Sequence, residues 1–212
     1  MTKCIFDLDG TLTREESLPR IAEHFGIGSE METLTREAVL GKIPFWASFQ
    51  KRVHLLKTLP VREVADVLYD IPLYEGLIGF IARYSGSCAV ATSNLSCWVE
   101  RLAERIPCEV YASAPKLEEG RLLGIETLLD KAAIVRDWQR EGHRVIFIGD
   151  GSNDASAMEL ADIAVAAGIT HRPAEAVLDV ADYHFQDVDN MVETLEHIMS
   201  ETTDRSETTN PE

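Results

Sequence analysis

Four short apolar runs punctuate the chain, at residues 3–6, 88–91, 145–148 and 163–166. Each stops at turn-forming residues: DLDG after the first, TSN after the second, GDGSND after the third and a Gly soon after the fourth. Runs this short, bounded by Gly, Asp and Asn, predict strands buried on both faces, as in a parallel sheet. Helical periodicity fills the gaps at 75–84, 97–105, 130–140 and 155–160. Strands alternating with helices predict an α/β fold with a doubly wound, mostly parallel sheet.

The stretch between the first two runs breaks this rhythm. From about Thr13 to Tyr74 the pattern is nearly continuous helix, interrupted around 26–29, 41–44 and at Pro60, with no strand period. An all-helical insertion directly after the first strand predicts a cap over the carboxyl ends of the strands, where open α/β sheets bind ligands. The expected organisation is a core of residues 1–13 and 75–200, a helical cap of 14–74, and a polar tail of 201–212 with no apolar period, expected to be disordered.

Composition narrows the function. The 212 residues allow one sizeable core plus a small second module. A formal net charge of -16 argues against nucleic acid or an anionic membrane as the main partner, since both require basic surface. Any phosphate site must therefore draw on a local cation. The apolar run before Asp7 is too short for a secretory signal, and no run approaches a membrane span. Cys4, Cys88, Cys97 and Cys108 form no CxxC pair, so a reducing cytoplasm is expected.

Four loops carry candidate chemistry. Asp7 and Asp9 alternate just past the first strand and can project toward one site, where two close carboxylates are costly without a cation between them. Magnesium favours such oxygen ligands. A solvated Asp-Gly turn fits these residues equally well. Asp150 and Asp154 add carboxylates in a Gly-rich loop after the third strand, though Asn153 or Asp154 also suits a helix cap. Ser93, after the second strand, offers a hydroxyl and free backbone N–H groups for phosphate oxygens, or else begins a helix. Lys131 opens a helix, where a cation is disfavoured unless an anion lies near; an ordinary exposed Lys is the plainer alternative. Together they describe a phosphoryl-transfer site: a carboxylate nucleophile, a carboxylate-held metal, a hydroxyl and a Lys.

In this order, DLDGT at 7–11, Ser93, Lys131 and GDGSND at 149–154 resemble the four motifs of the haloacid dehalogenase superfamily, over nearly the whole chain to about Met199. The Asp at position 9 is similar to the phosphatases of that superfamily, and the helical insertion to the cap of the phosphoserine phosphatase branch. The resemblance implies that Asp7 attacks phosphorus and that Asp9 protonates the leaving oxygen and then activates water. It implies that Asp7, Asp9 through its backbone carbonyl, Asp150 and Asp154 surround Mg2+. Ser93 and Lys131 would hold phosphoryl oxygens, with Asn94 and Asn153 beside the substrate. In the cap, Glu16, Phe45 and Arg52 resemble the branch's substrate positions, with Glu16 facing an ammonium and Arg52 a carboxylate. The chain departs from the branch at Asn94-Leu95, where Gly-Gly is usual, and at Val39, where a longer apolar side chain is common. The expected substrate is phosphoserine or a similar small phosphorylated metabolite. Other small phosphoesters, phosphoryl transfer to a metabolite hydroxyl, and a receiver-like phospho-acceptor are the alternatives.

Overall fold

The computed structural model describes residues 1–39 and 44–207, with side chains for all of these but 30, 35–39 and 201–207. The chain runs β1 (Thr2–Phe6), then helices α1 (Ser17–His24), α2 (Gly28–Val39), α3 (Phe45–Leu56), α4 (Val61–Tyr69) and α5 (Glu75–Arg83). It continues through β2 (Cys88–Leu95), α6 (Ser96–Ala103), β3 (Glu109–Glu118), β4 (Arg121–Thr127), α7 (Lys131–Arg140) and β5 (Arg144–Gly149). It ends with α8 (Ala155–Leu160), β6 (Ile163–Ala167), α9 (Glu175–Leu178), β7 (Tyr183–Phe185) and α10 (Val188–Glu207). The strands form one seven-stranded sheet in the order β4-β3-β2-β1-β5-β6-β7. Every pairing is parallel except β3 with β4.

Both faces of the central strands are sealed, and alternate residues explain how. Phe6, Val90, Ile146, Ile148 and Val165 pack with Phe80, Trp98, Leu102, Met191 and Leu195 of α5, α6 and α10. Ile5, Ala91, Phe147 and Ala164 face the other way, onto Ala132 and Val135 of α7 and Ala157 and Met158 of α8. Burying one such Leu, Ile or Phe contributes about 1.5–3 kcal/mol, which makes these strands the anchor of the fold.

The predicted core is thus present, with additions at both edges. The chain winds outward from β1 through β2 to β3, then returns to β5 on the other side, so the sheet reverses direction between β1 and β5. Such a switch point opens a crevice at the carboxyl ends of the strands. The β3–β4 hairpin was not legible: its residues are mostly half-buried or exposed and Pro115 interrupts it, so neither an apolar run nor strict alternation appears. Its turn uses Glu119 and Gly120 at φ 49° and 76°, the left-handed pair that matches strand twist in a two-residue hairpin. β7 is a three-residue, mostly exposed edge strand with equally little signal.

The described elements of the insertion, α1 to α4, are all helical. Its entry and exit run side by side: Thr13 bridges Leu73, Arg14 N–H donates to Pro72 O (2.9 Å) and Tyr74 N–H to Leu12 O (3.0 Å). Within it, apolar stripes at helical spacing face inward, including Leu18 and Ile21 of α1, Phe49, Val53 and Leu56 of α3, and Val64 and Leu68 of α4. α4 also leans on α6, where Arg101 pairs with Asp66 and lies over the Tyr69 ring, and Arg105 donates to the carbonyls of Tyr69 and Ile71. The helical break expected around 41–44 lies mostly outside the described residues. α10 runs on through Glu207, into the segment expected to be a disordered tail, and residues 208–212 lie outside the description. No described helix is long and apolar enough to cross a membrane.

Candidate active site

Asp7 follows β1 directly, and its N–H donates to Ile148 O (2.8 Å), so it keeps strand register against β5. The chain then turns sharply at Gly10 (φ 77°), where a Cβ would sit 2.6 Å from Asp150 Oδ2 and 2.9 Å from His171 Nε2. Only Gly allows both the left-handed backbone and this approach. The turn aims Thr11 at the next loop, where its hydroxyl donates to Asp150 Oδ1 (2.6 Å). It aims Asp9 elsewhere: its Oδ1 accepts from Ser17 N–H (3.0 Å) at the start of α1, where the helix dipole favours an anion. Asp7 and Asp9 thus do not share one partner set, although both are buried or nearly so.

The β5 loop folds around Asp154. By position Asp154 caps α8, but its carboxylate turns back into the loop and makes no cap bond. Its Oδ2 accepts from the N–H groups of Asp150 (3.2 Å) and Gly151 (3.0 Å). A Cβ at Gly149 would lie 2.6 Å from that same oxygen. The loop glycine therefore makes room for a carboxylate rather than for a turn alone.

Lys131 completes the cluster. It is the first residue of α7, its Nζ lies 2.5 Å from Asp7 Oδ1 and 2.6 Å from Asp154 Oδ1, and it is only 3% exposed. Burial alone would lower its pKa, but Asp154 and Asp7 outweigh that and hold it above its ordinary value. Asp7, Asp150 and Asp154 place ligand oxygens within 4.8 Å of one another. Three buried carboxylates against one ammonium leave an excess of negative charge. Accordingly burial, and then the charge of Asp154, push Asp7 up against the pull of Lys131. Asp150 is pushed up to about 8 by burial and by Asp154. An all-oxygen set short of positive charge suits a hard divalent cation, and the residues present fit one.

Asp9 differs. Burial and the charge of Glu16 raise it to about 6, while hydrogen bonds from Ser17 and Asn94 oppose the rise. A carboxyl titrating there is suited to both giving and taking a proton near neutrality.

β2 supplies the third side. It extends to Leu95, with its register against β3 disturbed between Thr92 and Leu95. Ser113 of β3 donates to Ser93 O (2.7 Å) and accepts from Leu129 N–H (3.0 Å), fixing this bulge. The Ser93 hydroxyl accepts from Asn153 Nδ2 (3.2 Å), tying the β2 and β5 loops together. Asn94, one departure from the branch, is buried: its Nδ2 donates to Ser17 Oγ (2.6 Å) and reaches Asp9 Oδ2 (3.4 Å).

The insertion contributes the remaining predicted residues. Phe45, Phe49 and Arg52 share a face of α3; the two rings stack at 6.0 Å and the guanidinium lies 6.0 Å from the Phe45 centroid. Arg52 is buried, and among the described residues its Nε has no hydrogen-bond partner. Burial lowers its pKa, against the charges of Glu16 and Asp9 that raise it. Glu16, half-exposed at the N-cap of α1, receives His171 Nε2 at 2.9 Å. The side chain of Val39 lies outside the description. A separate cleft of about 510 Å³ between α1 and α4 is lined by Arg20, Glu23, His24, Glu63, Asp66, Val67 and Asp70 and includes none of the predicted residues.

Residues 4–159 match the family of haloacid dehalogenase-like hydrolases. The chain belongs to that family. A phosphoserine phosphatase of Archaeoglobus fulgidus is 33% identical over an alignment of 191 residues that covers 84% of this chain and 54% of the relative; the chain thus spans about half the length of that protein. A phosphoserine phosphatase of Lactococcus lactis is 30% identical over 207 residues, covering 92% of this chain and 94% of the relative. A solved structure described as a phospho-aspartyl intermediate analogue of phosphoserine phosphatase is similar with a TM-score of 0.73 at 26% identity, covering 88% of this chain and 95% of that one.

Within this haloacid dehalogenase-like hydrolase, the loops at the ends of β1, β2 and β5 and the start of α7 bring the predicted residues to one end of the sheet in three hydrogen-bonded groups: Asp7, Lys131, Asp150 and Asp154; Asp9 and Asn94, both bonded to Ser17; and Ser93 with Asn153. Sequence reasoning missed four supporting residues: Thr11, Ser17, Ser113 and His171. Thr11 lies inside a quoted motif and was legible there. His171 follows the end of β6, another strand end on the same side of the sheet, which was the one signal for it. Ser113 sits on the unpredicted hairpin and had none.

Proposed function

We propose that this chain is a magnesium-dependent phosphomonoester hydrolase that acts on phosphoserine, or a similar small phosphorylated metabolite, through an aspartyl-phosphate. The observation that carries the reading is Asp7: a buried carboxylate at a strand end, oriented by Lys131 and facing two more carboxylates. Relatives and a structural neighbour named as phosphoserine phosphatases support it.

Asp7, Asp150 and Asp154, with the backbone carbonyl of Asp9, would hold Mg2+. When bound, the ion offsets the excess carboxylate charge and draws electron density from phosphoryl oxygens. Lys131 keeps one Asp7 oxygen turned toward the cluster, leaving the other for attack on phosphorus. As the Asp7–phosphorus bond forms, the bond to the substrate oxygen breaks, and Asp9 gives its proton to that oxygen. Asp9, now a carboxylate, takes a proton from water as the water oxygen attacks phosphorus. Phosphate leaves, and Asp7 and protonated Asp9 are restored. Ser93, Asn153 and Lys131 orient the phosphoryl oxygens.

Glu16 faces the substrate ammonium, Arg52 its carboxylate, and Phe45 flanks the pair. Residues 14–74 act as a cap whose closure excludes bulk water. The four free thiols support a reducing compartment, and we place the protein in the cytoplasm.

The test is turnover of a broad phosphomonoester panel with Mg2+, read as released phosphate. Phosphoserine is expected to give the highest kcat/KM. Failure to hydrolyse any member of the panel overturns the reading.

A further inference from the structure

Residues 168–174, between β6 and α9, are held at four points, three of them at or beside the site. Gly168 N–H donates to Phe185 O (2.7 Å), Tyr74 OH to Ile169 O (2.9 Å), Thr170 Oγ1 to Thr13 O (3.2 Å), and Ala174 N–H to Asp150 O (2.8 Å). Thr13 and Tyr74 flank the entry and exit of the helical insertion, and Asp150 belongs to the acid cluster. The backbone carrying His171 is therefore held between both halves of the site. Its imidazole lies with Nε2 2.9 Å from Glu16 Oε1 and 3.3 Å from Asp150 Oδ2, and with Nδ1 3.1 Å from Arg172 O. The side chains of His171 and Glu16 are 42% and 41% exposed, so a ligand can reach the pair.

Glu16 is the carboxylate that, on the reading above, receives the substrate ammonium. Its Oε1 already accepts from His171, from a side chain of this chain itself. An arriving ammonium must share that oxygen or displace the imidazole, and must lose its own hydration to do so. A substrate with hydrogen or hydroxyl in place of the ammonium faces no such competition, because Glu16 keeps its internal partner. We propose that His171 is a specificity-determining residue that occupies the ammonium-binding face of Glu16 and so lowers the preference of this enzyme for amino-bearing phosphoesters. The proposal rests on the phosphoserine-like reading of Glu16 but concerns a residue to which that reading assigns nothing.

The test compares O-phosphoserine with 3-phosphooxypropionate, the same phosphoester without its ammonium, at saturating Mg2+. His171→Ala should lower KM for phosphoserine and raise the ratio of the two kcat/KM values by about tenfold, the worth of one hydrogen bond to a charged group. His171→Gln restores a neutral N–H donor near the place of Nε2 and should return the ratio toward wild type. An unchanged or falling ratio in His171→Ala overturns the proposal. Should neither compound be turned over while other phosphoesters are, the phosphoserine reading fails by itself. Calorimetric Kd values of the two compounds for wild type and His171→Ala then decide the role of His171, and equal selectivity overturns it.

Discussion

Lys131 and Arg52 are both buried cations near carboxylates, yet their surroundings differ. Lys131 meets two carboxylate oxygens, and the partners of those carboxylates extend to backbone N–H groups of the β5 loop. Arg52 senses the charges of Glu16 and Asp9, but its Nε has no partner among the described residues. Lys131 donates to carboxylates on both sides of it, Asp7 and Asp154. The unpaired, buried Nε of Arg52 is costly as it stands, and on the proposed function the guanidinium fork is completed by a planar substrate carboxylate. On the proposed function, the difference separates the chemical half of the site from the selective half, where the Arg52 Nε is left unpaired among the described residues.

The widest gap between the halves should appear in turnover. Asp7→Asn keeps the shape of the cluster but removes the nucleophile, so kcat should fall at least about 10⁴-fold for every substrate. Circular dichroism should show an unchanged fold; retained turnover would remove Asp7 from this role. Stability comes next. Lys131→Ala leaves Asp7 and Asp154 buried without their cation and should cost about 3–5 kcal/mol in denaturant unfolding of the metal-free protein. Arg52→Ala removes an imperfectly bonded guanidinium and should change stability little, while raising KM for phosphoserine about 10- to 100-fold and leaving an aryl phosphate nearly unaffected. Equal stability losses in the two variants would erase the comparison.

The smallest effect concerns the metal. Asp7 and Asp150 are raised in the metal-free site, Asp150 to about 8, so the folded protein carries protons there that a cation must displace. Mg2+ affinity should therefore rise with pH, by about tenfold between pH 6 and 8, as seen in a calorimetric titration. A flat profile would mean that the carboxylates are already ionised.

Much of the chemical half was legible because it is local. Asp7, Asp9, Ser93, Asp150 and Asp154 each lie within a few residues of a strand end, and strand ends show as apolar runs that stop. Lys131 was legible for the opposite reason, as a cation where a helix start disfavours one. The β3–β4 hairpin and β7 were hidden because edge strands carry little apolar signal, and β3 is interrupted by Pro115.

What the sequence determined by itself is the alternation of buried strands and helices, the helical insertion after β1, and the residue types at each strand end, since burial period and turn chemistry are properties of neighbours along the chain. Which of those residues meet was decided only by the tertiary structure. Asp7 and Asp9 part company because Asp7 meets Lys131 of α7 while Asp9 meets Ser17 of α1, and Asn94 reaches Asp9 from the end of β2, where the register against β3 shifts. His171 reaches Glu16 across 155 positions because both stand at the same end of one sheet. Contacts of that kind depend on strand order, and strand order is set by the packing of both faces of the sheet together.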